Sequence, residues 1–392
     1  MITLLKGGQV YTPSSQGRKD ILIAESKIVS IHQPEEIDLR GIDVEEIDAT
    51  ENIITPGIID SHVHIIGGGG EGGPSTRAPE IKVEDIVSNG VTTVIGCLGT
   101  DSLTRHMESL YAKAKGLEKE GISTYIFSGS YEIPTASLTG SLRRDLVLID
   151  KVIGAGEIAI SDHRSSQPSF EEFSRLAAEC RVGGMLGDKA GILHCHVGDG
   201  KRKLDMIFRV VNETEIPLSQ IIPTHCNRNP ELLEEAIQYN KIGGTIDFTA
   251  GEDPEQQKSD HIPISDAIQK CMDKKANLDR ITVSSDSNGS MPVFDKSGNL
   301  IGLTIADQKS LLNNLCHLIN NKILPIDKAL KFFTSNSALY YKLRKKGKIS
   351  PGFDADINVF DSQFNLVHLF SMGKKMIENK KVVAKGTFSE KT

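Results

Sequence analysis

Eight short strand-like runs, separated by amphipathic stretches, fill residues 55–349, and this alternation restricts the chain to few folds. The runs cover residues 58–64, 92–97, 123–128, 157–161, 192–196, 221–225, 244–248 and 281–285. Helical stretches are expected over 103–120, 142–153, 231–239 and 264–276, the last behind Pro263, a residue common where helices begin. Phe170, Phe173, Leu176, Ala177 and Cys180 also recur at helical spacing. Eight strands with helices between them favour an α/β fold of the closed (β/α)8 (TIM barrel) kind over an open doubly wound sheet. The glycine-rich dinucleotide fingerprint is absent after the first run. Gly67 to Gly70 do follow that run, but no Gly-Lys-Ser/Thr comes next, which argues against a phosphate loop.

The two ends read differently. Leu4-Leu5, Ile21-Leu22-Ile23 and Lys27-Ile28-Val29-Ser30-Ile31 are β-type runs broken by turns. Near the other end, a turn at Ser350-Pro351-Gly352 leads into a strand ending at Phe360, and more strands follow at Leu366-Val367 and Lys381-Val382-Val383-Ala384. The expectation is a small β-sandwich domain built from residues 1–54 and 350–392 around a barrel of residues 55–349.

A hydrophobic content of 38% and a charged content of 25% fit an ordinary soluble globular chain. The net charge of −7 and the lack of a basic run argue against a nucleic-acid partner, and no apolar run is long enough to span a membrane. Cys97, Cys180, Cys195, Cys226, Cys271 and Cys316 show no paired spacing, and the first residues lack a signal-peptide pattern. A reducing cytoplasm is the expected location. A homo-oligomer is expected, of a size the sequence does not specify.

Chemistry concentrates at the ends of the strand-like runs. His62 and His64 close the first run after Pro56-Gly57. Residues i and i+2 of a strand face the same side, so two imidazoles converge on one point, as ligands of zinc or a similar ion must. His196, His225 and Asp286 end three later runs, and a barrel gathers such ends at one face. His194 shares a side with His196 and is a rival ligand, although His196 lies nearer the strand's end. Cys195 and Cys226 adjoin ligand histidines and so point the other way, into packing. His32, His106, His163, His261, His317 and His368 read as structural residues. Asp286 either ligates and moves protons or caps the following helix, since Ser285-Asp286-Ser287-Asn288-Gly289 is rich in capping residues. A second metal requires a bridging anion, which many barrels of this kind supply as a carboxylated lysine on the fourth strand. The fourth run here holds no lysine and opens with Glu157, which is either the bridge or a surface glutamate at the strand's edge.

At these residues the chain resembles the amidohydrolase superfamily and, within it, the isoaspartyl (β-aspartyl) dipeptidases. The resemblance covers essentially the whole chain. It is carried by residues 62–71, which run from His62 through the glycines to Glu71, and by Leu98-Gly99-Thr100-Asp101. Ile160 to Ser165, Pro223 to Asn229 and Ser284 to Ser290 carry the rest. It implies two zinc ions held by His62, His64, His196, His225 and Asp286. The chain departs from the well-known members at the bridge, where they carry a carboxylated lysine, and Glu157 is the expected bridge here. The resemblance implies that Glu71 receives the substrate's α-ammonium group, that Arg164 and Arg228 hold carboxylates, and that Tyr131 polarises the scissile carbonyl. Gly69, Thr100 and Ser290 fall at positions lining the substrate pocket.

The expected reaction is hydrolysis of an L-isoaspartyl dipeptide by a metal-bridging hydroxide, with Asp286 shuttling the proton. Such dipeptides arise from damaged Asn and Asp residues, so salvage of degraded peptides is the expected role. A cyclic amidase or N-acyl amino-acid deacylase needs no ammonium receptor, so Glu71 discriminates against them. A deaminase typically works with one metal and needs no bridge. A catalytically dead assembly protein on this fold would have no reason to keep every ligand-type residue.

Overall fold

The computed structural model describes residues 2–251, 254, 261–294 and 300–389. Eight parallel strands occupy its centre: β1 (Ile58–Val63), β2 (Val91–Gly96), β3 (Ser123–Ser128), β4 (Val152–Ile160), β5 (Ile192–Val197), β6 (Ile221–Thr224), β7 (Ile246–Thr249) and β8 (Ile281–Ser284). β1 to β6 pair in sequential order as one parallel sheet, and β7 pairs with β8. Every residue of these strands except Tyr125 is buried, which is why they read as apolar runs without alternation. Hydrogen bonds join the two groups of strands. The Cys226 N–H donates to Asp247 O at 3.1 Å, the Asp286 N–H to His62 O at 3.1 Å and the His64 N–H to Ser287 O at 2.9 Å. The buried Asp247 carboxylate on β7 accepts hydroxyl bonds from Thr224, Thr282 and Ser284, tying β6, β7 and β8 together.

Helices lie between successive strands. Helix Phe170–Leu186 begins at Ser169, whose hydroxyl and the Glu172 carboxylate form a capping box, and it buries Phe173, Leu176, Ala177 and Cys180. One expectation is corrected here. β4 starts at Val152 rather than Glu157, and the preceding helix, Leu142–Leu148, ends before the expected residue 153. Gly154 and Gly156 weaken the strand signal, yet they are what lets β4 approach β5. A Cβ on Gly154 would lie 2.4 Å from Ile192 O, and one on Gly156 would lie 2.9 Å from the His194 Cβ.

Both chain ends share one nine-stranded sheet. Strand Ile53–Pro56 pairs in parallel with Ile2–Tyr11 on one side and antiparallel with Ile357–Phe360 on the other. Leu5, Val10, Ile21, Ile54, Ile357 and Phe370 pack in a core separate from that of the parallel strands. The sequence reading misses strands Glu45–Asp48 and Lys374–Glu378, because both are short and charged. Among the described residues no helix is long and apolar enough to cross a membrane.

Candidate active site

The C-terminal ends of the parallel strands converge on one carboxylate. Glu157 stands within β4, is 1% exposed, and faces four imidazoles. Its Oε2 lies 3.4 Å from His62 Nε2, 3.0 Å from His196 Nδ1 and 3.7 Å from His225 Nε2, and its Oε1 lies 3.3 Å from His64 Nε2. Asp286 Oδ1 sits 3.1 Å from His64 Nε2 and 3.5 Å from His62 Nε2. His225 directly follows β6 and Asp286 lies two residues past β8, both in left-handed backbone conformation with φ of 61° and 57°. That rare geometry for non-glycine residues occurs where the strand end turns toward the site.

The donor set fits divalent metal. Two groups of buried donors form around Glu157, one with His62, His64 and Cys97, the other with His196 and His225. Donor atoms on a tetrahedral zinc lie about 3.4 Å apart, from ligand bonds of about 2.0–2.2 Å. The separations from Glu157 bracket that value. Nε2 of His62 and of His225 are buried without a hydrogen-bond partner among the described residues, an unfavourable state that a cation relieves. The opposite ring nitrogens are engaged: His62 Nδ1 with His194 Nε2 at 2.8 Å, and His225 Nδ1 with Thr249 Oγ1 at 2.6 Å. Such partners fix which nitrogen a metal receives. His194 thus orients His62, and it stacks on Phe127 at 4.8 Å. Burial and the neighbouring His62 push the His194 imidazole well below its usual value, so it stays neutral. Burial raises the carboxyls of Glu157 and Asp286, but the surrounding imidazoles outweigh it and hold both below the usual carboxylate range.

A cavity of about 630 Å³ opens onto this cluster, and every residue assigned to substrate lines it. Glu71 accepts hydrogen bonds from Thr100 Oγ1 at 2.8 Å, Ser290 Oγ at 3.2 Å and Arg164 Nη1 at 3.3 Å. Burial raises its carboxyl, but these contacts and a backbone bond lower it, so it is ionised at neutral pH. Arg164 is less free than its sequence suggests. Its Nε and Nη2 clamp Asp162 at 3.0 and 2.8 Å, leaving Nη1 toward Glu71. Arg228 donates from Nε to Val197 O at 3.0 Å and lines the cavity. The Tyr131 hydroxyl lies 2.8 Å from His196 Nδ1. Burial and then Glu157 push this phenol up, keeping it a proton donor.

Sequence reasoning passes over Asp162, whose Oδ2 lies 3.0 Å from His196 Nε2. Its only signal is its place two residues before Arg164. Cys97 is also missed: it closes no histidine motif, and only the fold brings it beside His64. Lys151, the lysine nearest β4, is held away from the site by Glu118 at 2.8 Å.

Parallel strands presenting a histidine and carboxylate cluster at their C-terminal ends define a hydrolase of the amidohydrolase type. The amidohydrolase family model matches residues 53–388, and the chain belongs to that family. Among solved structures it is similar to β-aspartyl dipeptidase from the thermophilic, keratin-degrading Fervidobacterium islandicum AW-1 in complex with β-Asp-Leu dipeptide. The two are 44% identical with a TM-score of 0.89, and the match covers 97% of this chain and 98% of that one. Enamidase from Eubacterium barkeri is 22% identical, over 93% of this chain and 87% of its own. Adenine deaminase from Halalkalibacterium halodurans is 24% identical over 97% of this chain, which spans 58% of that protein.

Proposed function

We propose that this chain hydrolyses isoaspartyl dipeptides. The observation that carries the reading is the placement of Glu71, held by Thr100, Ser290 and Arg164, in the same cavity as the Glu157 histidine cluster. An anionic receptor in the same cavity as a metal centre suits a substrate with a free α-ammonium group. The similarity to a dipeptidase bound to β-Asp-Leu supports the same reading.

His62, His64 and Asp286 would hold one ion and His196 and His225 another, with Glu157 between them. Two zinc ions there would supply a Lewis acid and an acidified water that attacks as hydroxide. The chain's residues do the rest. Arg228 binds a substrate carboxylate through its guanidinium, and Arg164 contributes its remaining Nη1. Glu71 pairs with the ammonium group. The Tyr131 O–H donates to the oxyanion that forms from the side-chain amide carbonyl. Asp286 accepts the proton of the attacking water and returns it to the leaving amine. In this reading residues 55–349 close as a (β/α)8 barrel, and residues 1–54 with 350–392 form the small β-sandwich domain. The partner is a small dipeptide, in a cytoplasmic homo-oligomer.

The test is a substrate panel of isoAsp-Leu, Asp-Leu and a dihydropyrimidine, run with metal analysis. Turnover of isoAsp-Leu alone, on a zinc-loaded protein, is the expected result. Preference for the dihydropyrimidine would move the protein to the cyclic amidases.

A further inference from the structure

We propose that Cys97 is a thiolate ligand of the metal held by His62 and His64. The inference rests on the reading of this cluster as a metal centre and adds a donor to it. Cys97 follows β2, and its N–H donates to Val63 O at 3.0 Å. That bond fixes it against the residue lying between His62 and His64. Its Sγ is 3.9 Å from His64 Nδ1, and the residue is 0% exposed. Donor atoms from His62, His64, Cys97 and Glu157 all lie within 4.8 Å of one another. A second observation points to a ligand at the same spot: His62 Nε2, on a side chain 0% exposed, has no hydrogen-bond partner among the described residues.

The alternative is a packing thiol that donates to Val63 O, 3.7 Å from Sγ. That bond is weak, and it does not account for the unpartnered His62 Nε2. The other buried cysteines make a useful contrast. Cys195 and Cys226 have their sulfurs toward the backbone carbonyls of Leu193 and Pro223 and belong to the main apolar core. Cys97 has the only sulfur in either buried donor group found among the described residues. With Asp286 and Glu157 already assigned to this ion, two imidazoles, a thiolate and two carboxylate oxygens make a five-donor set, a number that catalytic zinc can reach, with the sulfur favouring softer ions. Coordination releases the thiol proton to solvent, so metal uptake should release one more proton than an all-nitrogen and oxygen site would.

The test is X-ray absorption at the zinc edge on the metal-loaded, full-length protein. The expected wild-type spectrum has a sulfur shell at about 2.3 Å beside nitrogen and oxygen at about 2.0–2.2 Å. Cys97→Ser should lose the sulfur shell, whereas Cys195→Ser should keep it. A loaded wild-type protein with only nitrogen and oxygen neighbours overturns the thiolate assignment and leaves the metal centre standing. So does a sulfur shell that survives Cys97→Ser. A wild-type protein that takes up no metal overturns both readings. The wild-type spectrum is decisive even where Cys97→Ser fails to fold.

Discussion

Arg164 and Arg228 bring the same charge into one cavity, but Asp162 already occupies most of the Arg164 fork. Arg228→Ala should therefore raise KM for isoAsp-Leu more than kcat falls, because it removes binding made in ground and transition state alike. Arg164→Ala should lower kcat as well, since its loss frees Asp162 beside His196. Steady-state kinetics on both variants checks the split, and equal effects on KM and kcat would remove the distinction. Asp286→Asn should abolish turnover while most zinc stays bound, a loss on the order of 10²–10⁴-fold for the acid–base role alone. Near-wild-type turnover in that variant would refute the assignment. Glu157→Ala should lose at least one metal, because the anion that offsets repulsion between two dications is gone. Reconstitution of the apo-protein should not depend on bicarbonate, because a glutamate is ionised well below neutral pH and needs no CO2. Metal content after dialysis, with and without bicarbonate, measures both effects. At this scale the sequence was informative about residues in repeating local patterns, such as His62 and His64. Asp162 and Cys97 meet the site through His196 and His64, which are distant in sequence, and the only local sign is the place of Asp162 two residues before Arg164.

At the scale of elements, the strands that the sequence shows best are those buried on both faces. β3 is read to the residue, and the others to within a residue or two, apart from β4. Its two glycines look like turn signals in sequence but mark close contact between backbones in the structure. The hairpin of Ser290–Phe294 and Leu300–Ile305 also escapes, because its strands surround a stretch without strong alternation. Gly156→Ala tests the close contact. The added Cβ would meet the His194 Cβ and O, both at 2.9 Å, with no flexible side-chain end to give way. A loss of about 1–3 kcal/mol is expected from overpacking. Because Glu157 is the next residue and His194 orients His62, metal content should fall with stability. A variant that melts earlier yet binds full metal would separate β4 packing from the placement of Glu157.

At the scale of the whole molecule, the terminal sheet is tied to the parallel strands by one buried cation. Lys346 is 5% exposed, and its Nζ lies 2.8 Å from Asp354 and 2.6 Å from Asp356, with Ser123 on β3 as a further partner. Asp354 also pairs with Lys27, on strand Lys27–His32 of the terminal sheet. Burial lowers the Lys346 ammonium, but Asp356 and Asp354 outweigh it and raise it. Burial raises the Asp354 carboxyl, but Lys346 and Lys27 hold it below its usual range. A depressed carboxylate contributes stability above its unfolded value of about 3.9 and loses it as pH falls through the folded value. A raised ammonium contributes below its unfolded value of about 10.4 and loses it as pH rises through the folded value. The cluster should thus support the fold evenly between about pH 4 and 10. Lys346→Met leaves Asp356 without its cation and Asp354 with Lys27 alone, at a cost of about 3–5 kcal/mol at pH 7. In acid the variant can protonate Asp354, so its deficit against wild type should shrink below about pH 4. Urea unfolding of both proteins at neutral and acid pH measures the deficit directly. A deficit that stays constant or grows in acid would show that Lys346 acts through packing of its aliphatic stem, with charge contributing nothing.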